Sequence, residues 1–131
     1  MPSPQLRRLT ELHRFPLLDE HNVSHFCSEH DLVVLFFAGD PGKYPEANDV
    51  AMILPELLKS FQGLAAGLIA PAAEQSLQRH FGFARWPSLV FLRNRQVLGI
   101  ISEMQNWEDY LHQIQQLLSA SSSRIATVTM Q

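Results

Sequence analysis

"FFAGDPGKYPEANDVAMILPELL", residues 36–58, joins the end of an apolar run to a helix that carries a proline in its interior. The run leading into it, "DLVVLFFAG" from Asp31 to Gly39, is rich in valine and aromatics and is closed by a glycine. Continuous rather than alternating hydrophobicity marks a strand buried on both faces, at the centre of a sheet covered by helices. Beyond the loop, Val50, Ile53, Leu54, Leu57, Leu58 and Phe61 recur at helical spacing, which predicts a helix over 49–61. Asn48 or Asp49 can cap its start by accepting from orphan backbone N–H groups. Pro55 falls inside this helix, where a proline deletes one hydrogen bond and crowds the preceding turn at about 3 kcal/mol, so a kink is predicted.

Upstream, Ser3 before Pro4 is a good helix start, and Leu6, Leu9 and Leu12 follow at helical spacing over 3–13. "FPLLDEHNVSHFCSEH", residues 15–30, reads as a short extended piece and then a short helix with Val23, Phe26 and Cys27 on its inner face. Downstream, "GLAAGLIA" (63–70) reads as a second strand and "PAAEQSLQRHFG" (71–82) as a helix, with Pro71 in its first turn and Gly82 near its end. "ARWPSLVFLRN" (84–94) and "QVLGIISEMQ" (96–105) are two strands whose tight turn at Asn94-Arg95 suits an antiparallel hairpin. "NWEDYLHQIQQLL" (106–118) is a final amphipathic helix, with Trp107, Leu111, Ile114 and Leu118 on one face and Glu108 and Asp109 in its first turn. The Ser/Thr-rich stretch 119–131 is expected to be a mobile tail. The order α-β-α-β-α-β-α-β-β-α implies one α/β domain over residues 1–118, a mixed sheet with helices on both faces.

Composition narrows the function. The 131 residues are 46% hydrophobic and 18% charged, which suits one packed domain. A formal net charge of −3, with no run of arginines, gives no footprint for nucleic acid. Cys27 is the sole cysteine, so an intrachain disulfide is excluded. The first fifteen residues lack the apolar run of a secretory signal, and "LVVLFFAG" is far short of a membrane span. The expectation is a soluble cytoplasmic protein with no membrane insertion.

The element order resembles the thioredoxin fold over residues 15–118. The match rests on the central strand, on the interior proline of the next helix, and on "RWPSLVFLRNRQVLGII", which looks like the thioredoxin segment of cis-proline, strand, turn and strand. The resemblance implies a three-layer sandwich in which Pro87 is the cis-proline; X–Pro bonds favour trans by only about 0.5–1 kcal/mol, so a fold can impose cis. Counting back from Pro55, the two redox cysteines of thioredoxins would fall near Ala47 and Val50. Neither position has a thiol, so dithiol exchange is chemically impossible there.

A narrower resemblance, to the HyaE/HupG family of [NiFe]-hydrogenase accessory proteins, covers the whole chain. It is carried by "FFAGDP", by the "PE…NDVAMILPEL" helix start and by "FGFARWPSLVFLR". That family has the thioredoxin fold without the cysteine pair. The resemblance implies a chaperone, not an enzyme, that binds the twin-arginine signal peptide of the hydrogenase small subunit precursor and holds back export. Other hydrogenase accessory proteins are further partners it suggests, and it implies no cofactor.

Against that background the loop 40–46 admits two readings. It is a solvated turn, with glycine and prolines as turn residues, or it is a peptide-binding rim. Asp40, Glu46, Asp49 and the neighbouring Glu56 outnumber Lys43 there, and clustered carboxylates suit the bidentate guanidinium groups of a twin-arginine peptide. Tyr44 adds an apolar and cation–π surface. Arg85, Trp86 and Pro87 would flank the groove, with backbone groups beside the cis-proline pairing with an extended peptide.

Other chemistry is thinly represented. His21, His25, Cys27 and His30 fall close enough together to suggest a zinc or nickel site, but in no established ligand spacing, so no metal is expected. The chain has no nucleophile elbow, phosphate loop or HExxH. A thiol protein acting through Cys27, and a structural subunit docking through an exposed Trp107 face, are the alternatives to a chaperone.

Overall fold

A computed structural model describes the backbone of residues 3–130 and the side chains of residues 3–119. The expected tail over 119–131 therefore falls, after Ser119, outside the residues whose side chains are described. The elements are α1 (Pro4–Glu11), β1 (Leu17–Leu18), α2 (Val23–Glu29), β2 (Leu32–Phe37), α3 (Glu46–Lys59), β3 (Leu64–Ile69), a 3-10 turn (Pro71–Ala73), α4 (Glu74–Phe81), β4 (Ser88–Arg93), β5 (Gln96–Ser102) and α5 (Trp107–Met130).

The five strands form one sheet in the order β1-β3-β2-β4-β5. β1, β3 and β2 run parallel, whereas β4 is antiparallel to β2 and β5 antiparallel to β4. The apolar run is the middle strand, and its pleat explains why it is continuous. Val34 and Phe36 face a core shared with α1, α3 and α5. Val33, Leu35 and Phe37 face a second core closed by α2 and α4. Each fully buried side chain of this size contributes about 1.5–3 kcal/mol, so both layers are anchored on one strand.

Local chemistry sets the element ends. Ser3 Oγ accepts from the Leu6 N–H, and Pro4 opens α1. α1 ends at Glu11, so Leu12 lies beyond its last turn and is exposed. Gly82 closes α4 in the left-handed conformation. Asn94 and Arg95 both have positive φ in the β4–β5 turn, and a bulge follows, with Phe91 opposite Gly99 and Leu92 opposite Val97. At Gly99 a Cβ would collide with Leu117, so the glycine lets α5 lie on the sheet.

Two expectations are corrected. The helix after the central strand starts at Glu46, not Asp49, with Pro45 at the capping position and no side-chain cap. Pro45 has its φ set for entry into a helix and has no N–H to satisfy. Asn48 is already inside the first turn, and its buried Oδ1 has no hydrogen-bond partner among the described residues. Trp107 is 41% exposed, whereas Tyr110 and Ile114 are buried and Leu111 and Leu118 pack against the same core, so of the expected inner face of α5 only Trp107 lies outside it. The helix α3 runs through Pro55, which forgoes the bond to the Ala51 carbonyl.

Candidate functional site

The two positions that the count back from Pro55 matches to thioredoxin thiols are part of the core. Ala47 and Val50 are 0% and 1% exposed and pack in the α1/α3/α5 layer. Cys27 does not replace them: it is buried on the opposite side of the sheet. Burial pushes its thiol pKa up, only partly countered by Arg95, which disfavours the reactive thiolate.

What remains at the crossing is a cleft of about 500 Å³. Its first wall is the loop after β2, with Lys43, Tyr44 and Glu46. Its second is the segment before β4, with Ala84, Arg85 and Trp86, and its third is Glu103 and Met104 after β5. The Trp86–Pro87 bond is cis. The Trp86 ring packs on Phe83 and Phe37, at centroid distances of 5.2 and 6.2 Å, and lies 6.4 Å from Tyr44 at an interplanar angle of 30°. Gly39 makes this approach possible. It has φ +74°, and a Cβ there would lie 3.0 Å from Tyr44 Cδ2 and 3.3 Å from Trp86 Cβ.

The loop is held as one turn. The Asp40 carbonyl accepts from the Lys43 and Tyr44 N–H groups at 3.0 and 2.7 Å, and Asp40 Oδ1 accepts from Gly42 N–H at 3.0 Å. Opposite it, Glu103 is fixed from three sides. Its N–H donates to the Pro87 carbonyl at 2.7 Å, its carbonyl accepts from the Tyr110 hydroxyl at 3.2 Å, and Oε1 pairs with Arg85 Nη1 at 2.6 Å. The hydrogen bond and charge of Glu103 raise the Arg85 pKa further. Among the described residues, no hydrogen bond reaches the backbone of Trp86, which is left open beside the aromatic floor.

The predicted site residues divide among several places. Tyr44, Glu46, Arg85 and Trp86 meet in the cleft. Pro87 is buried beneath it. Asp40 lines a different hollow, and Asp49 is exposed on α3 and lines neither. Glu56 is paired with Lys59 at 3.2 Å. Glu46 and Asp49 stand at i and i+3 in the first turn of α3, and within the cleft Lys43 and Arg85 balance Glu46 and Glu103.

The second hollow, of about 650 Å³, lies on the other side of the same loop. Gly39, Asp40 and Pro41 form one wall, Leu6, Arg7 and Thr10 of α1 another, and Leu68, Pro71 and Glu74 a third. Glu74 is buried, and its Oε2 accepts from the Gly39 N–H at 2.9 Å. Burial raises its pKa, while the bonds from the Gly39 and Ala38 backbone oppose the rise. Sequence reasoning missed Glu103, Met104 and Glu74. No local pattern marks them, because only the fold brings them to the loop.

The His/Cys group does not converge. His25 pairs with Glu29 at 3.4 Å, the His30 ring packs on Phe26 at 4.8 Å, and Cys27 faces the core. Among the described residues no three metal-ligating side chains gather.

Comparison with known proteins places this geometry. The family model described as "Hydrogenase-1 expression protein HyaE" matches residues 5–110. The hydrogenase expression/formation protein HoxO of Azotobacter vinelandii is 44% identical over 98% of this chain and 86% of its own length. HupG of Rhizobium leguminosarum bv. viciae is 40% identical over 91% of this chain and 83% of its own. A crystal structure of a hydrogenase expression/formation protein HupG, from Rhodopseudomonas palustris CGA009, superposes with TM-score 0.58 at 41% identity, covering 82% of this chain and 97% of that one. A thioredoxin from Halobacterium salinarum NRC-1 superposes with TM-score 0.63 at 19% identity, over 78% of this chain and 87% of its own, a likeness of fold alone. With its thioredoxin-like sheet and its thiol positions filled by core residues, this chain belongs to the HyaE family of hydrogenase expression proteins.

Proposed function

We propose that this protein is a non-redox chaperone of hydrogenase maturation. It binds the twin-arginine signal peptide of the hydrogenase small subunit precursor in the cytoplasm, before export. The observation that carries this reading is the pairing of Ala47 and Val50 in the core with an open Trp86 backbone beside an aromatic floor. The crossing has no thiol chemistry, but it retains what an extended peptide needs: unpaired backbone groups for strand-like hydrogen bonds. Tyr44 and Trp86 offer guanidinium groups cation–π faces. Glu46 and Glu103 offer carboxylates, and an incoming arginine would compete with Arg85 for Glu103.

The test is a calorimetric titration with a synthetic small-subunit signal peptide and its Arg-Arg→Lys-Lys counterpart. Lysine keeps the charge but loses the planar fork, so the substituted peptide should bind more weakly. Equal affinities, or no binding of the first peptide, would overturn the reading.

A second reading has one observation in its favour. Trp107, the first residue of α5, is 41% exposed, as an anchor for docking another maturation protein would be. Trp107→Glu should abolish such docking and leave peptide binding intact.

A further inference from the structure

The hollow on the far side of the loop has no part in the reading above, yet the topology builds it where ligands settle. β2 and β3 are parallel neighbours. The chain leaves β2 for α3 on one face of the sheet and leaves β3 for α4 on the other. Adjacent parallel strands whose connections part in this way leave a crevice outside their carboxyl ends, the usual binding position of open α/β sheets. The 650 Å³ hollow is that crevice, lined by Ala38 and Gly39 at the end of β2 and by Leu68 and Ile69 at the end of β3.

Its lining differs from that of the cleft. Leu6, Leu17, Pro41 and Leu68 supply apolar walls, and Leu17 is 52% exposed although it is a leucine on a strand. The ionisable groups in its lining are few: Arg7, Asp40 and the buried Glu74. Glu74 is nine-tenths buried, and its bond to Gly39 N–H ties α4 to the loop, so the crevice is braced. The two hollows share one partition, with Asp40 and Pro41 on the crevice side and Lys43 and Tyr44 on the cleft side. An extended chain advances about 3.3 Å per residue, so a few residues of peptide cross such a turn.

We propose that the crevice receives the apolar segment of the same precursor peptide whose arginines reach the cleft; the inference rests on the function proposed above. Signal peptides place an apolar run of about 7–15 residues after their charged stretch. The leucine and proline walls match that run, and the Asp40 carboxylate at the partition matches the cationic stretch next to it. The peptide thus straddles the loop, its two chemical halves sorted into two hollows.

The experiment is anisotropy titration of a labelled synthetic peptide, two arginines followed by an apolar run, against the wild-type chain, Leu17→Glu and Leu17→Arg. Leu17 is exposed enough that both variants should melt with the wild type. Both should bind about tenfold more weakly, since each puts a charge where an apolar side chain sits. A peptide with serines in place of the apolar run should bind the wild type weakly and be indifferent to either substitution. Tighter binding by Leu17→Glu with weaker binding by Leu17→Arg would place the cationic half in the crevice and overturn the inference. Unchanged affinity in both variants would overturn it while leaving the chaperone reading intact, whereas no binding to the wild type would overturn both.

Discussion

The two hollows on either side of residues 39–44 share a wall and differ in almost everything else. The cleft is floored by aromatic rings and rimmed by Lys43, Glu46, Arg85 and Glu103, whose charges cancel. The crevice is walled by leucines and prolines and holds one buried carboxylate. In thioredoxins this crossing carries the reactive thiols; here Ala47 and Val50 belong to the core and the surface around them is divided by chemistry. A fold that has lost its redox pair can keep the groove in which that pair met its substrates. Under the proposed function, recognition then depends on shape, on open backbone and on the separation of polar from apolar surface.

The comparison can be broken by removing each hollow's principal support. Trp86→Ala should have the largest effect. It deletes the cleft floor and its packing on Phe37 and Phe83, and because the ring is partly exposed the loss of stability should be near 3 kcal/mol, the lower end for such truncations. Urea denaturation reads it, and a midpoint equal to the wild type's would mean that the ring supports nothing.

Next comes Glu74. Glu74→Ala removes the acceptor of a buried Gly39 N–H and should cost about 1–3 kcal/mol. Glu74→Gln keeps an acceptor and removes a buried charge, so it should cost much less. The pH dependence sharpens this. Burial raises the native pKa above the unfolded value, so the native state binds its proton more tightly. That contribution to stability is fully present below the unfolded pKa and is lost as pH rises through the native one. Relative to Glu74→Gln, the wild type should therefore lose stability as pH rises from the ordinary carboxylate range through the raised native pKa, as urea midpoints would show. An opposite slope would mean that the backbone bonds to the carboxylate outweigh its burial.

The smallest effects belong to the exposed charges. The Arg85–Glu103 pair is largely solvent-exposed, so Arg85→Gln should leave the melting temperature unchanged and alter only peptide affinity and its salt dependence. Asp49→Asn should change neither, because Asp49 lines neither hollow. A clear loss of peptide affinity in Asp49→Asn would restore the single acidic rim that the sequence suggested.

Much of the scaffold was legible in the residues. The unbroken apolar run of β2 required burial on both faces, and the sheet supplies it. Pro55 inside a helix and the Trp86-Pro87 pair before a hairpin were local features with few other homes. The failures also have physical reasons. Asn48 and Asp49 are good caps, but Pro45 enters the helix first. Of the expected face of α5, Leu111, Ile114 and Leu118 pack on the core and only Trp107, the first residue of the helix, stays outside it. Tyr110 takes the buried place in that first turn, because its hydroxyl can be buried while donating to the Glu103 carbonyl. Of Asp40, Glu46 and Asp49, the last two stay neighbours at i and i+3 in the first turn of α3, whereas Asp40 lines the other hollow. Glu74 and Glu103 lie 35 and 18 residues from the groups they bind, a separation that no local pattern spans.

The central claim is that an extended twin-arginine peptide lies at the crossing where thioredoxins do their chemistry. The most direct measurement is chemical-shift mapping of the backbone amides of the isotope-labelled protein during titration with that peptide. The account predicts saturable shifts concentrated at Gly39, Lys43, Tyr44 and the Ala84–Trp86 segment, weaker with the lysine-substituted peptide. Shifts confined to the β5–Trp107 side, or none at saturating peptide, would contradict it.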